Sequence, residues 1–219
     1  MRSLEKRPLV TYSLIAINIF VFLGMTISGG SESLYNLIVW GAKYDPLILQ
    51  GELWRLVTPM FIHIGLEHLA LNMLTLYFLG IQLENFFGKW RYLVIYLISG
   101  IGGNILSFTF SPNISAGAST AIFGLFGAYL MLGESFRHNR YIRMLARQFM
   151  VLIILNLGFD LFSSGIDIWG HLGGLVAGFL ASYMVGIPNL GKIPNSKRIL
   201  STVALIVIYG VLLVVGFNR

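Results

Sequence analysis

The chain has 219 residues, of which 56% are hydrophobic and only 11% charged, and its mean hydropathy is +0.79; a soluble domain is nearer half apolar and a quarter charged, so this one belongs in lipid. Cysteine is absent, which excludes disulfides, thiolate metal sites and cysteine nucleophiles and leaves the compartment unreadable from cysteine usage. The net charge of +6 does not point to nucleic acid, because the basic residues fall between apolar segments and not on one polar face.

A spanning helix needs roughly 20 mostly apolar residues. Seven stretches come close, at 9–27, 66–83, 92–110, 119–133, 149–162, 168–185 and 199–217, and they predict seven transmembrane helices in one domain covering 1–219. There is no internal repeat or low-complexity stretch, and the loops are short apart from 28–59. The first run has a basic start and is followed by Ser28-Gly29-Gly30-Ser31, as a signal peptide would be. Its apolar length exceeds the roughly 7–15 residues of a signal peptide, so we read it as a permanent helix.

Cytoplasmic loops retain lysine and arginine. With the N-terminus inside, all of the 15 basic residues except Lys43, Arg55 and Arg219 fall on the inner side, Arg2 and Lys6 among them. The second, fourth and sixth helices then run from outside to inside, which places His68, Ser119 and His171 near one face of the membrane.

The long first loop carries a short amphipathic run at 35–40 and then Trp54-Arg55. Tryptophan prefers the headgroup level and arginine can reach phosphate, so this loop is expected to rest partly in the outer interface, against membrane lipids. The fourth helix is short: 119–133 rises only about 22 Å against roughly 30 Å of hydrocarbon. Segment 111–118 is therefore expected to dip inward and put Ser119 at the floor of a water-accessible hollow, where backbone must be covered by protein or line a wet cavity.

A hydroxyl at a helix N-terminus sits among unpaired N–H groups, which would receive an oxyanion formed by attack of Ser119; serine there is also a common helix cap. His171 is a titratable residue inside a membrane segment, a functional candidate by default, although a histidine can also simply bond a neighbouring helix. Gly174 and Gly178 form a small-xxx-small pattern; if the neighbour is the helix with Gly124 and Gly127, His171 can act as base toward Ser119. His68 and Asn72 share a helix face and can both donate hydrogen bonds to an oxyanion. His63, about 140° from His68 on a helix, should point elsewhere. Zinc is not expected, since H-E-x-x-H is absent and the inverted H-x-x-E-H is missed by one residue. No other cofactor is implied.

Trp54-Arg55, His63-x4-His68-x3-Asn72, Gly117-Ala118-Ser119 and Gly170-His171-Leu172-Gly173-Gly174 together resemble the rhomboid intramembrane serine proteases, in the family's order and on the expected helices. The resemblance covers roughly 52–183. It implies an all-α polytopic membrane protein with a six-helix core, about 9–185, followed by a seventh helix. It also implies hydrolysis of peptide bonds in or near the transmembrane segments of membrane-protein substrates, and a bacterial cell membrane is the expected location. By position, Ser119 looks like the nucleophile and His171 the general base and acid of a dyad, with the Ser119 N–H, His68 and Asn72 as the oxyanion site. Phe123 occupies the place of an aromatic residue that in the family often packs against the catalytic histidine, and Gly117, Trp54 and Arg55 fall in supporting positions. Thr120 departs from the glycine of many members and adds bulk beside the nucleophile.

Asp167 lies four residues before His171, but at the start of a helix it is expected to cap the backbone and not to orient the imidazole. No spacing argument links Asp160 to His171. Two other readings compete with an active protease: a rhomboid-like protein that binds client helices without cutting them, and a channel or transporter with a histidine proton path. Retention of both Ser119 and His171 argues against the first, and the lack of paired transmembrane carboxylates or an inverted repeat against the second. The sequence does not specify the oligomeric state.

Overall fold

The apolar runs fold as long helices joined by short turns, apart from one structured loop near the start. The computed structural model describes residues 7–163 and 165–219; Arg2 and Lys6, used above to orient the chain, lie outside them. In chain order come α1 (Leu9–Ile27), α2 (Leu34–Trp40), α3 (Asp45–Leu49), α4 (Gly65–Phe87), α5 (Lys89–Phe110), α6 (Ser119–Ser135), α7 (Arg140–Phe162), α8 (Ile168–Val185) and α9 (Asn195–Phe217). Two 3-10 turns, Leu53–Leu56 and Thr58–Phe61, lead into α4. The protein is an all-α polytopic membrane protein.

Of these helices, α1, α5, α7, α8 and α9 are long and apolar enough to cross a bilayer by themselves. The two others at expected spans, α4 and α6, carry His68, Asn72 and Ser119. Helix α6 has only 17 residues and packs against α5, α7 and α8, which bury most of it. Protein thus covers the short helix, as membrane depth requires. Helix α7 begins nine residues before the expected 149, because the basic run is itself helical and Asn139 caps it, accepting from the Tyr141 and Ile142 N–H groups at 3.0 and 3.2 Å.

Helix α8 packs tightly on both α5 and α6, and it meets α6 backbone to backbone. A Cβ added at Gly174 would fall on the carbonyl oxygen of Thr120, and one at Gly178 on that of Gly124. Small residues here let the two backbones touch, which brings the first turn of α8 against the first turn of α6. Helix α9 packs on α5 and α8, where the Tyr209 hydroxyl donates to the Ile98 carbonyl at 2.6 Å.

Helix α1 has no capping side chain of its own, since Pro8 occupies its N-cap. Glu84, near the end of α4, supplies one: its carboxylate accepts from the Val10 N–H, the Thr11 N–H and the Thr11 hydroxyl at 3.1, 2.8 and 2.9 Å. The cap is buried, with Glu84 4% exposed.

In the first loop it is Arg55 that departs from expectation. Arg55 does not reach outward to phosphate. It is buried, donates to the carbonyls of Ile38 and Ala42 at 2.7 and 3.1 Å, and pairs with Glu52 at 2.6 Å. Trp54 is exposed, with the guanidinium over its ring. Loop carbonyls buried at the end of α2 need donors, and Arg55 supplies several from one planar group. Lys43 does the same for segment 111–118: fully buried, it donates to the Ser111 and Asn113 carbonyls at 2.5 and 3.0 Å and lies 2.9 Å from Asp45. A backbone bridge between Lys43 and Ser115 completes the attachment.

Candidate active site

Segment 111–118 delivers Ser119 to the start of α6. Ala118, not Ser119, holds the N-cap position, and no side chain caps this helix. Two N–H groups before it are already engaged: Gly117 donates to the Pro59 carbonyl at 2.9 Å, and Ala118 to His63 Nε2 at 3.3 Å. The N–H groups of the first helical turn, beginning with that of Ser119, have no acceptor within the helix and sit at the positive end of its dipole.

Gly117 has φ +139°, and a Cβ there would lie 2.7 Å from His68 Cε1, 2.8 Å from His68 Nε2 and 3.5 Å from Ser119 Oγ. Glycine is needed on both counts, backbone and space. Its missing side chain lets the edge of the His68 ring come over the same spot as the Ser119 hydroxyl. One turn further along α4, Asn72 donates to the His68 carbonyl at 2.9 Å through its side-chain amide, which keeps a second N–H.

His63 does not point away from His68. Helix α4 starts only at Gly65, so helical angles do not apply to His63, and its ring meets that of His68 edge-on with centroids 5.2 Å apart. Accepting from Ala118 requires a neutral ring with a lone pair on Nε2. Burial, with His68 adding to it, pushes the pKa of His63 down to about 3.

His171 is in the first turn of α8. The Phe123 ring, one turn after Ser119, stacks on it with centroids 4.1 Å apart and planes 11° from parallel. Asp167 caps α8, accepting from the Gly170 N–H at 2.9 Å. His171 Nδ1 instead meets Asp160 Oδ2, from α7, at 2.6 Å. Asp160 was not reachable by spacing, yet a lone carboxylate in the uncharged second half of a membrane helix is itself a flag.

A cavity of about 470 Å³ opens between α4, α6, α7 and α8, and Ser119, His171, His68, Asn72, Phe123 and Asp160 all line it. Trp54 and Arg55 do not; they brace the first loop. Nor does Thr120, whose side chain turns toward Gly103 and Gly170, so that the added bulk is taken up between helices and not beside the Ser119 hydroxyl.

The Rhomboid domain family model matches residues 50–188, which spans every one of these residues. The chain belongs to the rhomboid family. Among similar proteins, Rhomboid protease GluP of Bacillus subtilis is 46% identical over 211 residues, 96% of this chain and 40% of that protein. RHOMBOID-like protein 4 of Arabidopsis thaliana is 39% identical over 171 residues, 75% of this chain and 42% of that protein. Putative rhomboid protease YdcA of Bacillus subtilis is 34% identical over 179 residues, 81% of this chain and 88% of that protein. The chain thus spans less than half the length of the first two of these relatives.

Proposed function

We propose that this rhomboid chain is an intramembrane serine endopeptidase that hydrolyses peptide bonds in or near the transmembrane segments of membrane-protein substrates. The observation that carries the proposal is one cavity shared by Ser119, His171, His68 and Asn72, with α6 turning its unpaired first N–H groups toward the nucleophile's end. Ser119 Oγ attacks the scissile carbonyl carbon and its proton passes to His171 Nε2. The carbonyl oxygen becomes an oxyanion, received by the Ser119 N–H, His68 and Asn72. Collapse breaks the C–N bond while His171 protonates the departing amine. Water then adds to the acyl-enzyme, gives its proton to His171, and hydrolysis returns the proton to Ser119.

Phe123 holds the imidazole plane by stacking, and Gly117 clears the space that the oxyanion needs. In the orientation that keeps most basic residues cytoplasmic, the site opens to the external face. An activity-based serine-hydrolase probe tests the proposal. Wild type should be labelled, and Ser119→Ala and His171→Ala should not be, while both variants stay folded. Equal labelling of wild type and Ser119→Ala would leave a protein that binds client helices without cutting them.

A further inference from the structure

The His171 ring has two nitrogens, and the proposed reaction uses only one of them, Nε2. The other, Nδ1, is 2.6 Å from Asp160 Oδ2, in a contact where the two side chains are 9% and 5% exposed. Asp160 is the only acid in α7, a helix that carries no other charge over its second half. The titratable groups on the cavity wall are His68, Asp160, Asp167 and His171. Of the two acids, Asp167 is turned toward the Gly170 N–H, which leaves Asp160 as the carboxylate on the imidazole.

An ionised carboxylate only accepts hydrogen bonds, so the nitrogen facing it must carry the ring proton. With the proton held on Nδ1, the lone pair is fixed on Nε2, the nitrogen that takes the Ser119 proton. When it does, the imidazolium forms beside an anion in a poorly screened site, where that attraction is strong. Phe123 restricts the tilt of the ring and Asp160 its rotation, so the two constraints are complementary.

We propose that Asp160 is a positioning residue for His171, which makes the site a Ser119-His171-Asp160 arrangement and not a serine-histidine pair alone. The inference rests on the protease reading above. Its test uses the full chain in detergent, with a fluorophosphonate probe for Ser119 and nitrogen NMR of labelled histidine for the ring, the His171 signals being assigned by their loss in His171→Ala. In wild type the neutral His171 ring carries its proton on Nδ1. Asp160→Asn should shift that proton toward Nε2 and slow labelling by about 10²–10⁴, up to the loss known for neutralising a triad aspartate. Asp160→Glu, which keeps the anion, should recover part of the labelling and the Nδ1 proton.

A merely structural tie between α7 and α8 would lower stability in both variants and leave the tautomer of the folded fraction unchanged, which overturns the proposal. Unchanged labelling and tautomer in folded Asp160→Asn overturn it as well. Failure of wild type to label at Ser119 would sink the protease reading first, and the role of Asp160 with it; labelling that is lost in Ser119→Ala but indifferent to Asp160 would sink only the latter.

Discussion

Lys43→Met tests how firmly the first loop holds the segment that presents Ser119. Methionine keeps much of the length of lysine but has no charge and no donors. The change removes two hydrogen bonds, to the Ser111 and Asn113 carbonyls, and the ion pair with Asp45. Leaving a buried carbonyl without a donor costs about 1–3 kcal/mol, and breaking a buried ion pair from one side about 3–5 kcal/mol. These losses overlap, and Asp45 keeps its contact with Arg219. On the other side, burial already lowers the pKa of Lys43, with Asp45 opposing the shift, so part of the cost of burying the ammonium is recovered when it goes. The net expected loss is about 3 kcal/mol, which for a chain of this size lowers Tm by about 6–12 °C. The backbone bridge between Lys43 and Ser115 survives, so the fold should too. Thermal unfolding in detergent, run beside the rate of Ser119 labelling, measures both consequences; slower labelling is expected because displacement of about 1 Å at a reacting group can cost about 10² in rate. A methionine variant with wild-type Tm would refute the reasoning, since it would mean that desolvation of the ammonium cancels all three contacts.

Asn72→Ala should lower turnover by roughly tenfold with KM nearly unchanged, less than the 10²–10³ of a lone oxyanion donor because His68 and the Ser119 N–H remain; steady-state kinetics showing raised KM at constant turnover would make Asn72 a substrate-holding residue. His63 makes acid sensitivity predictable: its folded pKa of about 3 lies below the usual 6.5, so the unfolded chain binds the extra proton and stability present above about 6.5 is lost as pH falls toward about 3. In His63→Gln, which can still accept from Ala118, the Tm against pH curve should lose this part of its slope, and parallel curves for the two proteins would count against the assignment.

The helices that lie in lipid could be read from hydrophobic runs, because a bilayer imposes one length and one polarity on whatever crosses it. The run 119–133 begins where α6 begins, since Gly117 and the polar segment before it mark the break. The start of α7 was not legible: Arg140, Arg143 and Arg147 look like loop by charge, although their spacing puts them on one face of a helix that Asn139 caps. The position of His63 does not follow from angular arithmetic, which holds only inside a helix, because α4 starts two residues later. The role of Arg55 is hidden from the sequence for a different reason. Whether an arginine reaches lipid or folds back on carbonyls depends on which carbonyls the tertiary fold buries nearby, and Ile38 and Ala42 belong to another turn of the loop. Asp160 shows the same limit at the site, since the register of α7 against α8 is set by packing and leaves no trace in local spacing.

The cap that Glu84 gives to α1 has a consequence in time. Helix α1 leaves the ribosome 73 or more residues before the carboxylate that completes it. During that interval its first amides are unpaired and must stay at the wet boundary of the membrane, where water can serve them. The docking of α4 then closes the end of α1 and fixes its depth in the same event. Two segments distant in sequence are thereby made to mature together, and a Glu84→Ala chain should show its defect first as slow or incomplete assembly during synthesis, before any change at the distant cavity that holds Ser119.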